Sequence, residues 1–115
     1  MSKGYIYGGS NVADTVAWYG TNSNNKTSAV GSKEPNELGL YDMSGNVWEW
    51  CHDWYAKYPN TTQVNPLGPT LGSSRVLRGG SWDGDVSVCT VVFRYRGVAD
   101  TQYSGFGFRV VRSQF

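Results

Sequence analysis

Asn36-Glu37-Leu38-Gly39-Leu40-Tyr41-Asp42-Met43-Ser44-Gly45-Asn46-Val47-Trp48-Glu49-Trp50 is the stretch on which the fold turns. Gly39 and Gly45 sit where a chain between polar loops and an apolar run has to turn, in conformations that a Cβ disfavours. From Val47 the pattern has period two, with Val47, Glu49 and Cys51 on one side and Trp48 and Trp50 on the other. That alternation predicts a half-buried strand. Leu38–Tyr55 is also the densest apolar region, and Trp48, Trp50 and Trp54 supply the bulk that a loop-rich fold otherwise lacks.

Outward from this strand, residues 1–36 are polar and rich in Asn, Ser and Gly, interrupted only by Val16-Ala17-Trp18-Tyr19. They read as loop with one short anchored segment. Residues 58–74 carry Pro59, Pro66 and Pro69 with Gly68 and Gly72, and read as a second loop. Val76-Leu77-Arg78 predicts a strand that breaks at Gly79-Gly80. Val88 to Arg96, β-branched and aromatic, predicts a strand pair or a strand with flanking turns. Phe106-Gly107-Phe108-Arg109-Val110-Val111 predicts a final strand. No internal repeat or low-complexity block occurs. The expectation is one α+β domain over residues 1–115, loop-rich, with short antiparallel strands and little helix.

Composition agrees. Aromatic residues make up 15% of the chain, charged residues only 17%, and fifteen residues are glycine, a profile that argues against a helical bundle. At 115 residues a second core would have too little interior to stabilise it. Net charge is +1, lysines stop at Lys57 and arginines begin at Arg75, with no dense basic run. Nucleic-acid binding, which needs clustered cations to displace counterions, is not expected. Membrane insertion is not expected either, because no apolar stretch reaches spanning length. Met-Ser-Lys-Gly-Tyr lacks a signal core, so the protein is expected either to remain inside or to take its export signal from elsewhere. Cys51 and Cys89 read as two small buried hydrophobes, with a single bridge between them as the other reading. Asn25-Lys26-Thr27 and Asn60-Thr61-Thr62 match glycan acceptor patterns, a short motif of little weight.

Three segments, in this order and spacing, resemble one family: Asn36 to Trp50, then Arg75-Val76-Leu77-Arg78-Gly79-Gly80-Ser81-Trp82, then Gly107-Phe108-Arg109-Val110-Val111. They are similar to the formylglycine-generating, or sulfatase-modifying-factor, family, which has a variant of the C-type lectin fold. The resemblance covers about residues 30–112, without the N-terminal half of a typical family domain, and implies that fold either in full or in a reduced version. The family's oxidases hold copper(I) between two cysteines after Gly-Gly-Ser. The matching positions here are Gly84 and Cys89, so one thiolate is missing and no copper is expected. His52 is the single histidine, and no Ser/His/Asp arrangement or phosphate-cradling glycine loop is present, so nothing activates a nucleophile. The resemblance also implies a calcium site at Asp42, Gly45, Val47 and Glu49, two carboxylates with two backbone carbonyls. The alternative is that Asp42 caps the turn and Glu49 pairs with an arginine.

Residues 83–105 differ from their flanks: Tyr, Ser, Gly, Asp and a few apolar residues dominate, as in antibody binding loops. A branch of the resembled family comprises the variable proteins of diversity-generating retroelements. In these, a region between Gly-Gly-Ser-Trp and a Gly-Phe-Arg strand is rewritten by adenine-directed mutagenesis. Asparagine template codons so mutated cannot encode Lys, Glu, Gln, Met or Trp. Between Asp83 and Gly105 no Lys, Glu, Met or Trp occurs, and no asparagine follows Asn65; the one glutamine, Gln102, falls where such templates often fix a basic residue.

The resemblance thus implies a variable region over about residues 82–109. The diversified, ligand-binding positions in its first part would be Asp83, Gly84, Asp85, Ser87, Val88, Phe93 and Tyr95. In its second part they would be Gly97, Val98, Asp100, Thr101, Tyr103 and Ser104. Phe93, Tyr95 and Tyr103 are the expected anchors, with Cys89, Val91 and Arg94 in the scaffold beneath. The function implied is a non-catalytic display domain for a protein or surface ligand, carried on a phage or cell surface. Two readings compete with it. One is a remnant copper oxidase using Cys89. The other is a structural or oligomerisation module built on the 58–74 loop and Val91-Val92-Phe93.

Overall fold

The computed structural model describes residues 2–114. A single helical turn, α1 (Ala13–Val16), precedes a long irregular stretch, and four strands follow: β1 (Trp48–Trp54), β2 (Arg75–Arg78), β3 (Arg94–Gly97) and β4 (Phe106–Gly107). They form one sheet in the order β3-β2-β1-β4. β1 and β2 are antiparallel, with Glu49 opposite Arg78 and Trp50 opposite Leu77, and the register shifts before Trp54 meets Arg75. β2 and β3 are antiparallel from Arg75 opposite Gly97 to Arg78 opposite Arg94. β4 lies parallel to β1, with Phe106 beside Trp48 and Gly107 beside Glu49. The all-antiparallel expectation is corrected at this edge.

Two further expectations are corrected. The final strand ends at Gly107, and Phe108, Val110 and Val111 are exposed. Alternation alone does not supply a neighbouring strand, and after Gly107 none lies alongside. Within Val88–Arg96, the first part belongs to a 3-10 helix over Val86–Cys89, and only Arg94–Gly97 is strand. Here a local cap outweighs β-propensity: the Asp85 carboxylate accepts from the Ser87 N–H at 3.0 Å.

The apolar core is small: Val16, Ala17, Trp48, Val76, Leu77 and Cys89 are buried. Buried polar groups knit the loops around it. Asn46 accepts from the Ser28 N–H at 2.9 Å and donates to the Ser28 carbonyl at 3.1 Å. Its own N–H donates to the Trp18 carbonyl at 2.7 Å, and its carbonyl accepts from the Trp82 N–H at 2.8 Å. Ser44 donates to the Cys89 carbonyl at 2.7 Å and accepts from the Gly8 N–H at 2.9 Å. Among the described residues no buried side-chain nitrogen or oxygen lacks a partner, which is what a core built on polar side chains requires. Gly45 fits only as glycine: its φ is +75° and an added Cβ would stand 2.6 Å from the Trp18 nitrogen. No helix among the described residues is long and apolar enough to cross a membrane.

Candidate functional site

Residues opposite each other in a sheet share a face, so the register puts Phe106, Trp48, Trp50, Leu77 and Tyr95 on one side. The rings meet there. Trp48, 7% exposed, lies 5.2 Å from Tyr95 and 6.0 Å from Phe93, centroid to centroid. Phe106 stands edge-on to Trp50 at 5.3 Å and to Tyr103 at 5.1 Å. Above this floor opens a cleft of about 550 Å³. One wall is the turn after Gly79-Gly80. Ser81 is buried and donates to the Asp83 carboxylate at 2.5 Å, and the Gly84 carbonyl accepts from the Gly20 N–H at 2.8 Å. The opposite wall is the 101–103 loop.

None of the thirteen candidate positions is buried. Asp83, Gly84, Asp85 and Val88 line the cleft from one wall, and Phe93, Tyr95, Thr101 and Tyr103 from the floor and the other. Tyr95 is 48% exposed and Tyr103 44%. Ser87, Val98, Asp100 and Ser104 are exposed but lie outside the cleft. Gly97 is a correction. An added Cβ there would stand 2.8 Å from Trp50 Cη2 and 3.2 Å from Leu77 Cδ1, so packing holds the position as glycine. Val91 is corrected in the other direction: expected in the scaffold, it is 51% exposed. Arg94 is anchored, donating to the Ala56 carbonyl at 2.9 Å with its guanidinium 3.8 Å above the Tyr58 ring. Trp48, Ser81, Gln102 and Phe106 also line the cleft. The alternation around Trp48 was the signal for a sheet-face residue, but only the strand order makes it the cleft floor.

Asp42, Gly45, Val47 and Glu49 border a different cavity, of about 450 Å³, together with Arg109. The Arg109 guanidinium binds both carboxylate oxygens of Glu49. It also donates to the Tyr41 and Asp42 carbonyls at 3.1 and 3.0 Å, and the Glu49 carboxylate raises its pKa further. The Asp42 carboxylate accepts from the Gly31 N–H at 2.8 Å. The oxygen donors suit a hard cation, but Glu49 is committed to a guanidinium and Asp42 to a backbone turn. So arranged, the four residues do not fit a calcium ion.

Cys89 is fully buried, and burial pushes its thiol up to about 11. An added Cβ on Gly80 would stand 2.6 Å from its sulfur. Cys51 is half-buried on β1 and both thiols are free. His52 is exposed. Among the described residues no three His, Cys, Asp or Glu side chains cluster to hold a metal.

The sulfatase-modifying factor enzyme 1-like domain profile matches residues 2–114. Among curated relatives, the chaperone protein LppX of Paenibacillus barcinonensis is 36% identical over 98% of this chain and 43% of its own length. The formylglycine-generating enzyme of Streptomyces coelicolor is 42% identical over 72% of this chain and 28% of its own. This chain therefore spans less than half the length of the relatives it matches. Among solved structures, Treponema denticola variable protein 1 superposes with a TM-score of 0.86 at 42% identity, covering 90% of this chain and 39% of that one. PvdO from Pseudomonas aeruginosa gives 0.72 at 28% identity, covering 94% and 41%. With the sheet, the Gly-Asn-Val-Trp-Glu-Trp strand and the Gly-Gly-Ser turn all in place, this chain belongs to the sulfatase-modifying factor enzyme 1-like family and has its variant C-type lectin fold.

Proposed function

We propose that this chain is a ligand-binding display domain, without catalysis of its own, whose binding surface is the cleft over Trp48. The observation that carries the reading is convergence. Side chains from three separate stretches, 83–88, 93–95 and 101–103, border one opening above a fixed aromatic floor. Such a layout lets surface identities change while the frame beneath keeps its packing. Likeness to a variable protein at a TM-score of 0.86 supports the finer reading, a variable protein of a diversity-generating retroelement. Against an oxidase stand Gly84 at the position of the first copper cysteine and the depth of Cys89. A thiol held near 11 supplies little thiolate at neutral pH.

A displayed library randomised at the six other cleft-lining candidate positions, with Tyr95 and Tyr103 kept, tests the proposal. Most members should fold, and selection against a panel of unrelated proteins should yield binders that lose affinity when Tyr95 or Tyr103 is replaced by alanine. A library that is largely unfolded, or binders indifferent to both tyrosines, would overturn it. In the genome, a near-identical downstream repeat differing at adenines beside a reverse transcriptase is expected.

A further inference from the structure

We propose that the cleft of this chain takes a cationic side chain, lysine or arginine, presented by a protein partner; this rests on the display reading and names its ligand class. The floor and walls offer five rings, from Trp48, Phe93, Tyr95, Tyr103 and Phe106. Ring faces attract a cation by their quadrupole, and tryptophan does so best. Aromatic surface alone would equally suit a neutral apolar group, so the charges decide.

Asp83 and Asp85 both line the cleft, and no Lys, Arg or His does. Ser81 donates to Asp83, and the Ser87 hydroxyl, followed by the Ser87 N–H at 3.0 Å, lowers the Asp85 pKa and keeps it ionised at neutral pH. Neither carboxylate has a cationic partner: the one salt bridge among the described residues is Glu49–Arg109, at the other cavity. The arginines of β3 are engaged elsewhere. Arg94 lies 3.8 Å above Tyr58 and Arg96 5.4 Å above Tyr55, rings that do not border the cleft. On a chain of net charge +1, this cleft is therefore locally acidic. An anionic ligand would meet two uncompensated carboxylates. A lysine or arginine side chain would lay its aliphatic stem on the rings and bring its charge to the acidic wall.

The test is an NMR titration of the intact domain, read at the Trp48 indole N–H and the Tyr95 and Tyr103 ring protons. The probes are the Nα-acetyl methylamides of lysine, norleucine and glutamate. The lysine probe should shift these signals saturably, with an affinity about ten-fold above that of norleucine, and glutamate should shift none. Asp83→Asn with Asp85→Asn should remove that ten-fold advantage while leaving the norleucine response and the other indole signals unchanged. Norleucine binding as tightly as lysine, glutamate binding more tightly, or no shift with lysine would each overturn the inference. The display proposal is decided separately: library binders that contact the cleft through uncharged residues would leave it standing while this assignment fell.

Discussion

Arg109 closes on Glu49 and on the carbonyls of Tyr41 and Asp42, so one guanidinium ties the segment after β4 to the start of β1 and to the turn before it. By its sequence context Glu49 suits either a calcium ligand or the partner of an arginine, and the geometry matches the second. The pair is partly solvated, with the Arg109 side chain 41% and the Glu49 side chain 15% exposed, so its Coulomb energy is screened. The carbonyl bonds add to it. Arg109→Ala is expected to lower the unfolding free energy by about 1–2 kcal/mol, measured by urea denaturation. Arg109→Lys should recover only part of that loss, because an ammonium lacks the planar fork. An Arg109→Ala variant as stable as the parent would mean that the clamp is not formed in solution.

The same arrangement makes a statement about calcium. An ion that binds only the folded state raises the unfolding midpoint by mass action, but here it would first have to detach Glu49 from Arg109. Excess calcium and excess chelator are expected to give the same melting temperature within about 1 °C. A calcium-dependent rise that vanishes in Glu49→Gln would show that the carboxylate exchanges its guanidinium for the ion.

Tyr95 and Tyr103 stand on the cleft with nearly half their surface exposed. An exposed aromatic anchor contributes to an interface more than to the fold. Tyr103→Ala is expected to weaken binding of a library-selected partner by about 1–3 kcal/mol, read by calorimetry, and to cost little in thermal unfolding. Tyr95 stacks on Trp48 at 5.2 Å, so Tyr95→Ala should show the same binding loss with a modest stability cost. If either change unfolds the domain, that ring belongs to the core.

Where the sequence succeeded and where it failed follows from the range of the forces involved. The strand at Trp48–Trp54 is legible because Trp48 and Trp50 alternate with Glu49 and Cys51 within a few residues, although burial along it grades from Trp48 to the exposed His52 and Asp53 instead of alternating. The final strand was overextended because Phe108, Val110 and Val111 keep that pattern with no neighbour to pair with, and alternation does not encode strand direction, so the parallel edge was missed as well. The 3-10 turn at Val86–Cys89 depends on one side chain, Asp85, capping locally against β-propensity. The thirteen candidate positions could be named from the sequence, but which of them share an opening depends on the strand order β3-β2-β1-β4, which brings the stretch around Phe93 and Tyr95 across from the loop holding Tyr103.

Gly97 gives that point a measurable form. Its φ is not in the left-handed region, so any penalty for a side chain comes from packing against Trp50 and Leu77 and not from backbone strain. Gly97→Val is expected to destabilise by about 1–3 kcal/mol through overpacking. The neighbouring exposed Val98→Ser should change stability by no more than about 0.5 kcal/mol. In a second displayed library randomised at 97 and 98, position 97 should return as glycine among folded members while position 98 drifts. Free variation at 97 would restore it to the diversified set.

Cys89 makes the last test, because its burial sets both its reactivity and a pH window. A thiol whose folded pKa stands near 11, above the ordinary 9.0, holds its proton more tightly in the native state. Its contribution to stability is therefore complete below about pH 9 and is lost as pH rises toward 11, where the unfolded chain ionises and the native one does not. Tyr19, raised from 10.0 to about 12 by its hydrogen bond to Asp14, adds its own loss above about pH 10. Cys51, also raised by burial, shares the lower part of the window, so the Cys89 contribution is read from the difference between the parent and Cys89→Ala. The unfolding free energy should fall between pH 9 and 11, and less steeply in Cys89→Ala despite that variant's lower starting value. At pH 8, iodoacetamide should modify half-buried Cys51 first, and Cys89 at a rate that follows the unfolded fraction as urea is added. Rapid native labelling of Cys89 would mean that the turn at Gly79-Gly80 opens over it, and the frame beneath the cleft would then be far looser than its packing implies.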